Sequence, residues 1–140
     1  MTKTEHYQLN QWEASDRVLR EDFNRDNAKI DAAIESVRTS ALRLFVGSYT
    51  GDSTADRTID LGRAPKAVYV CAENGQILSS GRYYGGLAVP GHPVWIENPQ
   101  LAVLEVCSTG FIIHYRYNDP YKTYAYSNAE NVNYHYLALC

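Results

Sequence analysis

The spacing of apolar residues changes character near Leu44, and the two halves demand different secondary structures. Before that point Leu9, Asp16, Phe23, Ile30, Val37 and Leu44 fall seven residues apart, and all but Asp16 are apolar. After it, short runs rich in Val, Ile and Tyr alternate with Gly, Pro, Asn and Asp. A seven-residue repeat suits a helix that buries one narrow face against another helix. Short punctuated β-rich runs suit strands and turns. The pattern therefore predicts residues 1–43 as an attachment segment and coiled-coil-like helical stem. Residues 44–140 are predicted as an all-β head of β-sandwich or barrel type.

The helix is expected over Asn10 to Leu44, a stretch without Pro or Gly. Asn10-Gln11-Trp12-Glu13 has the form of a capping box, in which Asn10 accepts from the backbone amide of Glu13. Glu13–Arg17, Asp16–Arg20 and Glu21–Arg25 are acid-to-base pairs at the favourable four-residue spacing. Leu9, Trp12, Leu19, Phe23, Ile30, Ile34, Val37 and Leu44 are the expected oligomerisation seam. Asp16, Asp26 and Asn27 interrupt it, and polar seam residues can set register. The competing reading packs this helix on its own β domain.

In the second half, strands are predicted at 44–49, 57–61, 67–72, 76–79, 87–89, 94–96, 101–107, 111–117, 124–126 and 134–139. Asn74-Gly75 between two apolar runs is the strongest hairpin signal. Cys107-Ser-Thr-Gly110 marks a second, and further turns are expected at Asn98-Pro99 and Asn118-Asp119-Pro120. No second helical stretch follows, which argues against a βαβ architecture.

Composition bounds the chemistry. The net charge of −3 is spread over both halves, so a nucleic acid or an anionic membrane is not an expected partner. No apolar run is long enough to span a bilayer, and no secretory signal is read at the start. Three widely spaced cysteines form neither a disulfide framework nor a zinc pattern. The four histidines are scattered singles, so no metal or cofactor is expected. The acids Asp52, Asp56, Asp60, Glu73, Glu97, Glu105, Asp119 and Glu130 fall mostly at turns. A glycosidase needs two carboxylates facing each other across a cleft, so an enzyme is the least favoured reading.

Tyrosine is the outlier, with 12 in the chain and all but Tyr7 after Phe45. Seven lie between Tyr115 and Tyr136, interleaved with Asn118, Asn128, Asn131 and Asn133. Aromatic faces stack on sugar rings, and amides supply paired donors and acceptors. Tyr121, Tyr124, Tyr126, Asn128, Tyr134 and Tyr136 are the expected ligand-binding residues. The opposing reading places these tyrosines in the β core or between subunits.

The opening Tyr7-Gln-Leu-Asn-Gln-Trp12-Glu-Ala-Ser-Asp16-Arg-Val-Leu19-Arg-Glu-Asp22-Phe23-Asn24, with Asp26-Asn27-Ala-Lys-Ile30-Asp31, resembles the N-terminal segment of small tail proteins of phages and prophages of Gram-positive gut bacteria. Phe45-Val-Gly47-Ser-Tyr49-Thr-Gly51-Asp52 and Arg57-Thr-Ile59-Asp-Leu61-Gly62 resemble the start of the β domain at the ends of phage tail fibres. Gly110-Phe111-Ile-Ile-His114 and Asn133-Tyr134-His-Tyr136-Leu-Ala138 fit the same pattern. The resemblance implies a homotrimeric tail-fibre or tail-tip subunit in a virion or phage-tail-like particle. Its head would bind a host cell-surface polysaccharide, and its other partners would be tail and baseplate proteins. The alternative is a purely structural baseplate or adaptor protein.

Overall fold

The helix begins ten residues later than the spacing predicts. The computed structural model describes residues 1–97, 100–119 and 121–140 and separates into two compact units, Met1–Ala41 and Leu42–Cys140. In the first, strands β1 (Thr2–Lys3) and β2 (Asn10–Gln11) pair antiparallel, and helix α1 runs from Arg20 to Ser40. Asn10 is therefore a strand residue, and the expected capping box does not form. Asp16 turns back instead and accepts from the Glu13 amide at 2.8 Å. Such side-chain bonds to backbone compete with helix formation. Once started, α1 carries Glu21 and Asp22 in its first turn and Arg38 in its last, which suits the helix dipole.

This corrects the coiled-coil stem. Of the seven-spaced positions only Phe23, Ile30 and Val37 lie in α1, two heptads, short of the three to four a coiled coil sustains. Leu9 and Trp12 precede the helix and are half-buried, Leu19 is its exposed N-cap, and Leu44 belongs to a strand. Phe23, Ile30, Ile34 and Val37 are exposed along α1. Asp26, read as an interruption, serves the fold locally, since it is buried and accepts from the backbone amide of Asn10 at 2.7 Å. Lys29 also donates to the Gln8 carbonyl, so the N-terminal hairpin is tied to the helix.

The second unit is all-β, as the punctuated runs predict. Its strands are β3 (Leu44–Thr50), β4 (Asp56–Asp60), β5 (Ala67–Ala72), β6 (Leu78–Ser79), β7 (Arg82–Tyr83), β8 (Gly86–Ala88), β9 (Val94–Ile96), β10 (Leu101–Val106), β11 (Gly110–Asn118), β12 (Thr123–Tyr126) and β13 (Asn133–Leu139). One sheet has the order β3-β13-β5-β8, all antiparallel. The other runs β6-β7-β12-β11-β10-β9, with β4 paired to the first half of β11. Its β7–β12 contact is parallel. The turn expected at Asn98-Pro99 lies outside the described residues, as does Pro120.

Alternation sets the core. Tyr49, Val68, Val70, Tyr134 and Ala138 point inward from the four-stranded sheet and meet Leu104, Phe111 and Ile113 of the other. Tyr49 and Tyr134 stack with ring centres 4.9 Å apart. The turn at Thr109-Gly110 is a hairpin, pairing Val106 with Phe111. Gly110 is required there, because a Cβ would lie 2.0 Å from the Ile59 carbonyl oxygen. Asn74-Gly75 also turns, with Gly75 at φ +83°. It does not join ladder partners, however: β5 pairs with β13 and β8, while β6 pairs with β7. The turn hands the chain from one sheet to the other.

Candidate binding groove

Strand alternation places Tyr115 and Tyr117 opposite Tyr126 and Tyr124 across the β11–β12 ladder, while Ala125 between them is buried. The rings of Tyr117 and Tyr124 lie 4.4 Å apart, and Tyr126 meets Tyr84 edge-on at 5.4 Å. The parallel β7 strand sets Arg82 beside Tyr124. Its guanidinium lies 5.9 Å from the Tyr124 ring centre and 5.5 Å from that of Tyr126, within cation–π range of both. The result is a continuous aromatic strip with a cation seated on it.

The strip ends in a groove of about 650 Å³. One wall comes from the Ala72–Gln76 turn with Glu73, Asn74 and Gln76. The other comes from Arg82, Tyr84, Tyr126, Asn131 and Asn133. Asn133 donates to the Glu73 carboxylate at 3.2 Å and accepts from the Thr50 hydroxyl at 2.8 Å. Asn131 holds φ +61°, a backbone state that Asn tolerates better than most residues. The groove thus combines ring faces, three amide side chains besides Gln76, one carboxylate and one guanidinium. Glu73 is the one acid on its lining among the described residues, so the paired carboxylates of ordinary glycoside cleavage are not assembled here.

The residues expected to bind ligand divide sharply. Tyr126 lines the groove and Tyr124 continues the aromatic strip. Tyr121 is exposed but sits on the β11–β12 turn, apart from the groove lining. The remaining three face inward and are corrections. Tyr134 is fully buried; its hydroxyl donates to the Tyr126 carbonyl and accepts from the Ala129 amide at 3.1 Å. Burial pushes its phenol well above the ordinary range, so it stays a neutral donor. Tyr136 packs edge-on against Phe111 at 5.1 Å. Asn128 is fully buried and donates to Asp52 Oδ1 at 2.7 Å and to Thr54 O at 3.0 Å, holding the loop before β4. The Thr54 hydroxyl and amide, and after them the Asn128 amide, donate to the Asp52 carboxylate and lower its pKa to about 2.

Sequence reasoning missed Arg82, Tyr84, Gln76 and Glu73 as groove residues. The signal was weak, because β7 is two residues long and its parallel pairing has no local signature. A second polar cluster surrounds buried His114. Its Nδ1 lies 2.6 Å from Asp56 Oδ1, and Nε2 lies 2.9 Å from Glu105 Oε1, though out of hydrogen-bond alignment. Arg116 also donates to Asp56. Burial raises the Asp56 pKa, but the bonds to His114 and Arg116 outweigh it and the net is a lowered value. This cluster ties β4, β10 and β11 together and gives substrate no access to the imidazole.

No group of metal-ligating side chains occurs among the described residues, and no helix there is long and apolar enough to cross a membrane. Comparison with known proteins finds no matching family model, no matching curated protein and no matching solved structure.

Proposed function

We propose that the β unit is a carbohydrate-binding head and that the chain serves as a receptor-binding subunit of a phage tail or phage-tail-like particle. The observation that carries the binding reading is the groove beside Tyr126. Tyr84 and Tyr126 offer aromatic contact to a sugar's apolar C–H surface, and the amide of Asn131, with the remaining donor and acceptor capacity of Asn74 and Asn133, offers partners for hydroxyl groups. Arg82 and Glu73 add charge-assisted bonds, each roughly twice as strong as a neutral one. Binding without turnover fits a lining with one carboxylate. The particle assignment rests on the sequence resemblance at Tyr7–Asp31 and Phe45–Leu61, and the host surface polysaccharide follows from both. Weak single sites suffice when many copies act together, because tethering raises effective concentration.

An architectural role in a baseplate is the second reading. It is favoured by one observation, the exposure of Val46, Leu137, Tyr69 and Leu87 in one row on the outer face of the four-stranded sheet. The binding reading is tested by titrating the full chain against immobilised bacterial surface polysaccharides, with Arg82→Ala and Glu73→Ala as groove variants and Tyr121→Ala as the off-groove control.

A further inference from the structure

Antiparallel sheets with one face on the core normally turn polar side chains to water on the other. Much of the β3-β13-β5-β8 sheet breaks this rule. Its inward residues, such as Tyr49, Tyr134 and Val70, fill the core; Gly47 is also inward, and a Cβ there would meet the Tyr136 ring at 2.5 Å. Many outward residues are apolar as well. Register aligns Val46, Leu137, Tyr69 and Leu87 in one row across all four strands. Their exposures are 72%, 40%, 38% and 64%. A second row, Leu44–Leu139–Ala67, lies two residues along, with Leu44 58% exposed. On the other side of the first row stands Ser48–His135–Cys71, and beyond it the polar rung of Thr50 and Asn133 borders the groove.

We propose that this face is covered by the same face of a second copy of the chain, sheet on sheet. Two quantities favour that occupant. The exposed side chains of the two apolar rows present on the order of 500 Å² of apolar surface, at the upper end of the roughly 300–600 Å² of the largest patch on a typical monomer, a patch that is often functional. With the Ser48–His135–Cys71 rung added, the face comes nearer the roughly 800 Å² that each partner contributes to a standard interface, and Thr50 and Asn133 stay outside it at the groove. The second quantity is charge. No Lys, Arg, Asp or Glu stands among the outward residues of either apolar row, so two identical faces meet there without like-charge repulsion. A two-fold pairing needs such self-complementarity. The apolar side of α1 lacks it, flanked as it is by Arg25, Lys29, Glu35 and Arg38. Stacked sheets set about 10 Å apart would let the rows interdigitate. This pairing does not depend on the polysaccharide reading, and it puts a two-fold assembly in place of the three-fold one that the sequence resemblance implies.

The test is solution mass by sedimentation velocity on the full chain across a concentration series. The expected result is twice the chain mass, with Val46→Lys and Leu87→Lys each weakening association at least about 100-fold by burying an unpaired charge. Both positions are exposed, so the variants should keep the wild-type circular dichroism spectrum. Leu87 lies on β8, across the sheet from β3. If Leu87→Lys left the assembly intact while Val46→Lys broke it, pairing at the β3 edge would replace the proposal. A wild-type mass of one chain throughout, or an assembly that survives both lysines, would also overturn it. A second readout needs no variant. Cys71 faces outward on the same sheet, next to His135, so its alkylation should slow as concentration rises while that of Cys107 does not. Alkylation of Cys71 independent of concentration would contradict the pairing.

Discussion

Replacing Tyr134 by Phe separates a structural tyrosine from a ligand-binding one. The ring stays, so the stack on Tyr49 and the packing of the core are kept. The hydroxyl is lost, and with it an acceptor for the Ala129 amide and a donor to the Tyr126 carbonyl. Ala129 is 1% exposed, so water does not replace the lost partner at its amide. Leaving a buried polar group unsatisfied costs about 1–3 kcal/mol. Two such groups, with some relaxation, give an expected loss of about 2–3 kcal/mol. For a domain of this size that corresponds to a fall in Tm of roughly 10–20 °C. Urea unfolding followed by tyrosine and tryptophan fluorescence measures it, with the midpoint falling and the m-value unchanged. A loss below about 0.5 kcal/mol would refute the reasoning. Unchanged stability together with lost polysaccharide binding would return Tyr134 to the contact surface.

Two further perturbations follow from the same accounting. Asp52 is held at about 2 in the folded chain, below the roughly 3.9 of an unfolded Asp, so its bonds to Thr54 and Asn128 stabilise the fold fully above about pH 4. That contribution is lost as pH falls toward 2, and Asp52→Asn should flatten this part of a pH series of urea midpoints while the wild type declines. Gly110→Ala puts a methyl 2.0 Å from the Ile59 carbonyl oxygen, which forces β4 away from β11. A loss of about 3 kcal/mol or more is expected in the same urea assay, and a loss under about 1 kcal/mol would show that the hairpin adapts.

Most of the β unit is legible because strand signals are local. Runs such as Ala67–Ala72 and Leu101–Val106 are bounded by turn residues, and their limits can be read to within a residue. Which strands pair is legible only in part: Cys107–Gly110 reads as a hairpin and is one, whereas Asn74-Gly75 reads as a hairpin, yet tertiary packing sends its flanks to different sheets. The helix is half legible. Its polar face and apolar stripe are real, but Asn10 is taken into the N-terminal hairpin and Asp16 accepts from the Glu13 amide, and a seven-residue count cannot see that. For the site, alternation makes Tyr124 and Tyr126 visible as neighbours. It cannot show that Tyr134 and Tyr136 face the core, because β12 and β13 belong to different sheets and the turn between them resets which parity points inward. Arg82 and Glu73 join the groove only through the fold.

Polysaccharide binding in that groove is tested most directly by isothermal titration of the full chain, which should find at least one bacterial surface polysaccharide that binds. Arg82→Ala and Glu73→Ala should each weaken that binding about 10-fold or more, the worth of one lost charge-assisted bond. Tyr121→Ala should leave it unchanged. Binding that survives both groove variants, or that falls with Tyr121→Ala instead, would contradict the assignment of the site.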